Sequence, residues 1–475
     1  RQVVEKDGTA TGSNISAGGS LIVYTGGIAH GVNQETGSAL VANTGAGTDI
    51  EGYNKLSHFT ITGGEANYVV LENTGELTVV AKTSAKNTTV DAGGKLIVQK
   101  EAKTDTTRLN NGGVLEVQDG GEAKHVEQQS GGALIASTTS GTLIEGTNSY
   151  GDAFYIRNSE AKNVVLENAG SLTVVTGSRA VDTIINANGK MDVYGKDVGT
   201  VLNSAGTQTI YASATSDKAN IKGGKQTVYG LATEANIESG EQIVDGGSTE
   251  KTHINGGTQT VQNYGKAINT DIVSGLQQIM ANGTAEGSII NGCSQVVNEG
   301  GLAENSVLND GGTLDVREKG SATGIQQSSQ DALVATTRAT RVTGTRADGV
   351  AFSIEQGAAN NILLANGGVL TMESDTSSDK TQVNTGGREI VKTKATATGT
   401  TLTGGEQIVE GVANETTIND GGIQTVSANG EAIKTKINEG GTLTVNDNGK
   451  ATDIVQNSGA ALQTSTANGI EISGT

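Results

Sequence analysis

Between residues 224 and 316, apolar and polar positions alternate in a short pattern that returns every 16 to 19 residues. The pattern is Gly-x-Gln-x-(Val or Ile), with clear copies at Gly224–Val228, Gly240–Val244 and Gly257–Val261. Strict alternation is typical of a strand with one buried face, and helical spacing of apolar residues extends over no useful length. A fixed period this short predicts a solenoid, in which each turn buries its apolar face against neighbouring turns.

A second half-pattern lies between these copies. An Ala is followed five residues later by an apolar residue, as in Ala232 and Ile237 or Ala267 and Ile272. Two or three short strands per turn, separated by Gly-rich bends, are typical of a parallel β-helix. We therefore predict an all-β fold, a parallel β-helix of roughly 25 turns with about 18–19 residues each. At a strand spacing of about 4.8 Å, such a rod would be roughly 120 Å long.

The inward-facing positions can be counted from the second residue of each bend. The fourth residue after it is nearly always Val or Ile, and the second shares its parity and therefore also faces inward. That second residue is Leu or Met in one set of turns and Gln in another, with Glu389 as an exception. Six successive Gln residues predict a stacked amide ladder that fixes the register of the turns: Gln208, Gln226, Gln242, Gln259, Gln277 and Gln295.

A longer module repeats on top of the short pattern, at residues 38–80, 132–175 and 331–372, with a partial copy from residue 460. Each complete copy spans a double step in the count of bends, which we interpret as one further, degenerate turn. Each copy also holds a polar excursion expected to project from the rod: Tyr53–Ser57, Asn148–Asp152 and Arg346–Gly349. A solenoid grows by adding turns to one core, so we expect a single domain over residues 1–475.

Composition agrees with strands that pair on both edges, because Pro, which cannot donate to a strand ladder, is absent. The net charge of −19 argues against a nucleic-acid partner and against docking on anionic lipid. The single Cys293 excludes an internal disulfide, and the four His are scattered, so we expect no metal site and no cofactor. The sequence has no run of 18 apolar residues of the kind that spans a membrane.

The chain opens with Gln2-Val3-Val4, which reads as a strand without its Gly bend, and it has no initiator Met. Residues 470–475 read as part of a further repeat. We therefore expect a fragment of a longer solenoid, without a signal peptide or a translocator barrel.

The module carries a resemblance to a known family. Its copies contain LENTGELTVV at Leu71–Val80 and LENAGSLTVV at Leu166–Val175, with AFYI and AFSI preceding this stretch in two copies. Together with the Gly-Gly-x-Gln-x-Val turns, this sequence resembles the passenger domains of AIDA-type autotransporter adhesins, antigen 43 in particular. The resemblance covers the whole chain and implies a right-handed, three-sided parallel β-helix.

The resemblance also implies a function. Proteins of this family are exported through the outer membrane by a C-terminal barrel, and they mediate autoaggregation, biofilm formation and attachment to host cells. We therefore expect a virulence-associated adhesin at the bacterial cell surface, or released from it, that pairs with itself on neighbouring cells in an antiparallel arrangement. A host-surface receptor or glycan is a further expected partner, and some members carry glycans on Ser and Thr.

Outward Thr residues are the sequence's own candidates for self-association. Rows of hydroxyl groups that repeat every turn can form many weak hydrogen bonds with an identical antiparallel row. Thr is also simply a good strand former, so each single residue has an ordinary explanation. The candidates are Thr207, Thr209, Thr227, Thr258 and Thr260.

Two other functions fit the sequence less well, and we expect that the chain is not an enzyme. Carbohydrate chemistry or binding is the first, because parallel β-helices host it, but fold alone does not determine function. Its candidate residues would be Tyr150, Asp152, Arg157 and Glu160, or Arg346 and Asp348. Long insertions that could build a cleft are absent, and so is Trp. A Thr array that binds ice is the second, but Lys225, Glu241, Leu276 and Ser294 interrupt the row.

Overall fold

The computed structural model describes residues 1–475 and consists of strands, turns and bends, without a helix. It therefore holds no helix of the length and apolar character that crossing a membrane requires. The chain forms two compact units, Arg1–Ala235 and Asn236–Thr475. Each unit is a β-solenoid, and the units together contain about 25 turns, which confirms the predicted fold class.

Each turn contains three short strands, and each strand pairs in parallel with the equivalent strand of the next turn. In unit 1, Lys190–Val193 pairs with Thr207–Ile210, and Arg179–Val181 pairs with Lys196–Val198. The third strand of the same turn, Ile184–Ile185, pairs with Val201–Asn203. The strands therefore stack in three columns. The first column holds the Gly-x-Gln-x-Val segments, the second holds the Ala segments, and the third holds the apolar residue five positions later.

The columns of unit 1 have the following strands. The first column contains Gln2–Val4, Ser20–Val23, Ala39–Asn43, Glu76–Val79, Lys95–Val98, Val114–Val117, Ala133–Ser137, Ser171–Val174, Lys190–Val193 and Thr207–Ile210. The second contains Thr9–Thr11, Arg179–Val181, Lys196–Val198, Thr215–Asp217 and Leu231–Thr233, and the third contains Asn14–Ile15, Val70–Leu71, Val165–Leu166, Ile184–Ile185 and Val201–Asn203. Strands that run through the second and third columns are Ile28–Gln34, Ser84–Val90, Lys103–Leu109 and Glu122–Gln128, and Asn220–Val228 joins the third to the first.

Unit 2 has the same arrangement. The first column contains Ser294–Val297, Thr313–Val316, Ala332–Thr336, Val369–Met372, Arg388–Val391, Glu406–Val409, Ile423–Val426, Thr442–Val445 and Ala461–Thr464. The second contains Ser248–Glu250, Lys266–Ile268, Thr284–Glu286, Leu302–Glu304, Ser377–Asp379, Thr396–Thr398, Val412–Asn414, Glu431–Ile433 and Glu471–Gly474. The third contains Ile289–Asn291, Val307–Asn309, Leu363–Leu364, Gln382–Asn384, Thr401–Thr403, Thr417–Ile418 and Lys436–Ile437. Continuous strands join the third and first columns at Asn236–Asp245, His253–Gln262 and Asp271–Ile279, and the second and third at Ser321–Gln327 and Lys450–Gln456.

The core lies inside each solenoid and consists of the alternate residues that the sequence pattern marks. In Lys95–Val98, for example, Leu96 and Val98 are fully buried, whereas Lys95 and Ile97 face outward and are half-buried. Short aliphatic side chains fill this interior because the space between three closely spaced strands is too narrow for large rings.

The bends combine two different requirements for Gly. Their first residue has a positive φ, as at Gly93 and Asn188, which a small or amide side chain tolerates. Their second residue lies against the turn before: a Cβ at Gly94 or Gly189 would lie 2.2 Å from a backbone carbonyl oxygen. Only Gly allows that approach, which explains the paired Gly residues of the pattern.

The double steps in the count of bends do not contain the extra, degenerate turn that the sequence predicts. The first-column strand Ala39–Asn43 pairs directly with Glu76–Val79, so the column has no further strand between them. The intervening residues form three consecutive antiparallel strands, called a hairpin below, that lengthen a single turn. The predicted excursions are the tips between the first two strands of each hairpin. The three hairpins comprise Asp49–Tyr53, His58–Thr62 and Glu65–Asn67; Leu143–Thr147, Ala153–Arg157 and Glu160–Lys162; and Arg341–Thr345, Ala351–Glu355 and Ala358–Asn360.

A buried Phe lies opposite a Gly in every hairpin, and these are the only three Phe residues of the chain. Phe154 faces Gly146, Phe59 faces Gly52, and Phe352 faces Gly344. A Cβ at Gly146 would lie 2.1 Å from the carbonyl oxygen of Val126 in the turn before, so the strand approaches the solenoid more closely than any other residue would allow. At Gly344 a Cβ would lie 2.5 Å from Cζ of Phe352, so there the ring occupies the space that the missing side chain leaves, an arrangement known from other sheets.

Polar side chains then tie each hairpin tip to the rest of its unit. Lys55 lies 2.6 Å from both Glu72 and Asp91, and the hydroxyl of Tyr150 accepts a hydrogen bond from Asn186 at 3.2 Å. In the third hairpin, Arg346 donates to Gln382 at 2.9 Å. The three tips are therefore held by different chemistry at equivalent places.

Replacing Phe154 with Ala should unfold the second hairpin. Truncating a buried Phe costs about 3–5 kcal/mol of free energy of unfolding. The matched control is Tyr155→Ala, because Tyr155 is the next residue on the same strand and faces outward instead of into the core. We expect amide hydrogen exchange in residues 143–162 to accelerate strongly in Phe154→Ala and only slightly in Tyr155→Ala. Equal exchange rates in the two variants would contradict the role given to the ring.

Candidate functional site: outer threonines and inner polar ladder

The five candidate Thr residues lie on the outer face of the first column, as their position in the pattern predicts. In unit 1, Thr207 is exposed and Thr209 and Thr227 are half-buried; in unit 2, Thr258 and Thr260 are half-buried. None of the five hydroxyl groups has a hydrogen-bond partner inside the protein, so all are available to water or to a second molecule.

The Thr residues form short groups instead of one continuous row. Thr209 is the register partner of Thr227, but Thr207 lies beside Lys225. In unit 2, Thr258 and Thr260 lie between Glu241 and Ile243 in one turn and Leu276 and Gln278 in the next. A further group follows near the end of unit 2, where Thr425 is the register partner of Thr444.

The outer faces of the first and second columns of unit 1 differ in their number of ion pairs. The outer face of the second column holds ion pairs between successive turns, including His30 with Asp49 at 2.9 Å and Glu65 with Lys86 at 3.4 Å. Within the first column, the ion pair between turns is Lys95 with Glu116 at 3.7 Å. The first column therefore offers more uncharged hydroxyl and β-branched surface than the second.

The Gln residues predicted to stack lie inside the solenoid, where they contact no partner molecule. In unit 1, Gln226 Nε2 donates to Gln208 Oε1 at 2.9 Å. In unit 2, Gln259 donates to Gln242 at 2.9 Å, Gln277 to Gln259 at 2.9 Å, and Gln295 to Gln277 at 2.7 Å. Each amide donates towards the earlier turn, so each stack has a donor end and an acceptor end.

Hydroxyl groups donate further hydrogen bonds to the amide oxygens of the stack. Ser288 donates to Gln277 and Ser306 donates to Gln295, both at 2.8 Å. These Ser residues lie in the bend between the second and third columns and are fully buried. The interior of these turns is therefore a network of amides and hydroxyls.

Buried carboxylates accept from the first Gln of two stacks, Asp197 in unit 1 and Glu389 in unit 2. Glu389 is the exception already noted in the sequence pattern, whereas Asp197 was not predicted. Asp197, 1% exposed, accepts from Gln208 at 2.7 Å, Ser216 at 3.1 Å and Thr200 at 2.5 Å. Glu389 accepts from Gln407 at 2.8 Å, and Gln407 in turn accepts from Gln424 at 2.7 Å. The available signal was the sequence Lys-Asp-Val at residues 196–198, in which Asp stands where other turns have Ala.

The pKa of Asp197 is raised to about 6. Burial is the main cause, and the hydrogen bonds from Thr200, Gln208 and Ser216 oppose it. A carboxyl whose pKa is higher in the folded protein than in the unfolded chain takes up a proton more readily when folded. Its contribution to stability therefore increases as the pH falls from about 6 towards its ordinary value near 4.

Four of the six residues considered for carbohydrate chemistry are paired with groups of opposite charge, whereas Asp152 has no ion pair and the Tyr150 hydroxyl accepts from Asn186. Arg157 lies 3.3 Å from Glu145 and its guanidinium lies 4.0 Å from the ring centre of Tyr155. Glu160 pairs with Arg179 at 3.3 Å and accepts from the Tyr155 hydroxyl at 2.8 Å. Arg346 pairs with Asp348, and the structure shows no group of side chains arranged for a metal ion.

Cys293 is half-buried and its Sγ donates to the carbonyl oxygen of Ile272 at 2.9 Å. Burial raises the pKa of this thiol, which keeps it protonated and unreactive.

Substituting Gln277 by Leu should destabilise unit 2 about twice as much as substituting Gln295. Gln277→Leu leaves the Ser288 hydroxyl and the Gln295 amide without their acceptor, whereas Gln295→Leu leaves only the Ser306 hydroxyl unpaired. An unsatisfied buried polar group costs about 1–3 kcal/mol. Equilibrium denaturation of both variants measures the difference, and an equal or larger loss in Gln295→Leu would contradict the ladder.

The variant Asp197→Asn should lose a pH-dependent part of the stability. We expect the free energy of unfolding of wild type minus that of the variant to rise by about 2–3 kcal/mol between pH 7 and pH 4. Taking the difference cancels the titration of the other carboxyl groups. Urea denaturation at several pH values measures it, and a difference that stays constant or falls as the pH is lowered would contradict the raised pKa.

Comparison with known proteins identifies the family. Four segments match the family described as adhesin of bacterial autotransporter system, probable stalk: residues 51–113, 145–206, 343–405 and 407–460, just over half of the chain. The chain is 98% identical over 475 residues to the probable autotransporter YpjA of Escherichia coli strain K12, and it spans 31% of that protein. It also aligns with a crystal structure of a TibC-catalyzed hyper-glycosylated TibA fragment, at 28% identity and a TM-score of 0.35, covering 65% of this chain and 98% of the other. The chain belongs to the AIDA family of adhesins of the bacterial autotransporter system.

Proposed function

We propose that this chain is an adhesive passenger at the bacterial cell surface, exported through the outer membrane, that mediates autoaggregation and biofilm formation. Two copies on neighbouring cells would pair in antiparallel orientation along the outer face of the first column. The observation that supports this choice is the set of outward Thr hydroxyls without internal partners, on a column with few charges.

The second column is a poorer candidate because several of its charges are already paired within one copy. Ion pairs such as His30 with Asp49 would have to break before they could bond a second molecule. Exposed pairs of this kind contribute little to binding in water.

Repetition supplies the affinity that single contacts lack. Each net hydrogen bond contributes only about 0.5–1.5 kcal/mol, but bonds from successive turns form together once two copies are aligned. Two copies with a net charge of −19 each repel one another. We therefore expect self-association to strengthen as added salt screens this repulsion.

We extend the proposal to attachment to host surfaces through a receptor or glycan, and with it to a role in virulence. These activities belong to the adhesin as a whole, of which this chain is a part.

The double variant Thr258→Lys and Thr260→Lys tests the proposed face. Beads coated with the purified chain should clump, and two added positive charges per copy on a face that meets itself should weaken association by at least about tenfold, or about 1.4 kcal/mol. The measurement is the apparent dissociation constant from sedimentation, together with the settling rate of coated beads.

The chain offers a close control in Thr396→Lys and Thr398→Lys. These residues also form a Thr-x-Thr strand in unit 2 with half-buried side chains, but they lie in the second column. The control should retain wild-type association. Loss of association in the control but not in the test variant would contradict the choice of face, and a wild-type chain that stays monomeric with inert beads at all salt concentrations would overturn self-association.

A further inference from the structure

One corner between the first and second columns of unit 1 is shorter than the corners on either side. Two residues, Tyr194 and Gly195, join the strand ending at Val193 to the strand beginning at Lys196. The corresponding corners before and after each contain four residues, 175–178 and 211–214. The short corner is therefore recessed between two that project.

Gly195 makes this short corner possible. A Cβ at this position would lie 2.3 Å from the carbonyl oxygen of Ser178 and 2.5 Å from that of Val175. The backbone approaches the preceding turn as closely as a residue without a side chain allows, which creates a pocket of about 400 Å³ above it. Its lining includes Thr176, Arg179, Tyr194, Lys196, Ser213 and Thr215.

An ordered aromatic ring lies at the edge of this pocket. Tyr194 is 42% exposed, and its ring stacks on that of Tyr211, with centroids 4.2 Å apart and planes 7° apart. Tyr211 is in turn held by a hydrogen bond from its hydroxyl to Asp192 at 3.3 Å. The stack fixes the orientation of Tyr194 while it remains accessible, as in sites where a flat ligand packs on a ring.

Two positive charges lie side by side in the same pocket. Arg179 and Lys196 are register partners in adjacent second-column strands, and both are exposed. Arg179 has one ion pair, through Nε to Glu160 at 3.3 Å, and Lys196 has none. Like charges directly opposite each other destabilise a sheet, and an anion bound between the two cations would reduce this repulsion.

We propose that this recess binds an acidic saccharide. Its carboxylate would lie between Arg179 and Lys196, and one face of a sugar ring would pack on Tyr194. The hydroxyls of Thr176 and Ser213, which have no internal hydrogen bond, are available to sugar hydroxyl groups. A carboxylate between two cations forms charge-assisted hydrogen bonds, the stronger class of polar contact.

The charge of the whole chain limits the ligand to a short one with few charges. A long polyanion would be repelled by the net charge of −19, whereas a single carboxylate meets only the local pair of cations. This inference rests on the attachment part of the proposed function. It concerns a different corner from the Thr face, so either can fail without the other.

Sialyllactose, a trisaccharide with one carboxylate, is a suitable probe, and lactose is its neutral counterpart. We expect ligand-observed NMR of the full chain to show sialyllactose binding and at least about tenfold weaker binding of lactose, because the carboxylate contacts are lost. Tyr194→Ala and Lys196→Glu should each weaken sialyllactose binding by a similar factor. Bead clumping should be unchanged in both variants.

Tyr24→Ala is the matched control. Tyr24 also follows a first-column strand and is 47% exposed, but no second ring stacks on it. It should bind sialyllactose as wild type does. The proposal would be overturned if lactose bound as well as sialyllactose, if Tyr24→Ala lost as much binding as Tyr194→Ala, or if acetate displaced the sugar at equal concentration, since the last result would indicate a simple anion site.

Discussion

Each inward side chain of these solenoids lies directly against the same position of the turn before and the turn after. These side chains are buried, so a polar group placed there must find its partner among the other inward groups of its own or an adjacent turn, or remain unpaired. Apolar turns meet the condition with Leu, Val and Ile. Polar turns meet it when they follow one another, as the Gln residues of consecutive turns do.

A stack of amides has a direction, and this constrains what can stand at its ends. In the stacks that begin with Gln208 and Gln407, each Gln donates to the turn before it, so the first Gln needs an acceptor that is not another Gln. Asp197 supplies it to Gln208 in unit 1, from the second column, and Glu389 supplies it to Gln407 in unit 2, from the first column. The raised pKa of Asp197 is the electrostatic cost of placing a carboxylate there, and it is tolerated because three donors converge on that group.

The hairpins meet the same constraint in another way. Before each hairpin a buried Gln spans the break in the third column: Gln128 Nε2 donates to the carbonyl oxygens of Gly132 at 2.9 Å and Val165 at 3.0 Å. Gln34 and Gln327 donate to equivalent carbonyls. One side-chain amide thus replaces strand-to-strand bonds that the inserted hairpin interrupts.

Much of this fold could be predicted from the sequence, because alternation within a strand and repetition between turns are both local patterns. The inward positions of strands such as Lys95–Val98 follow directly from them. The hairpins could not be derived in this way, since a double step in the count of bends has the same length whether it holds a second turn or a folded-out hairpin. The decisive signal was the pairing of Gly146 with Phe154, which becomes meaningful only when the two strands are known to run antiparallel.

The outer surface is less predictable for a physical reason. Inward residues pack against neighbours in the same chain, so the sequence pattern at inward positions indicates which residues those neighbours are. Thr258 and Lys196 have no such constraint, and in the functions proposed above their partner is a second molecule. What the fold does provide is position: because the interior fixes the register of every turn, an outward residue keeps a constant place relative to those in adjacent turns. The two stacked rings and two adjacent cations at Tyr194 and Lys196 depend on that register, and so does any row of hydroxyls that meets a second copy.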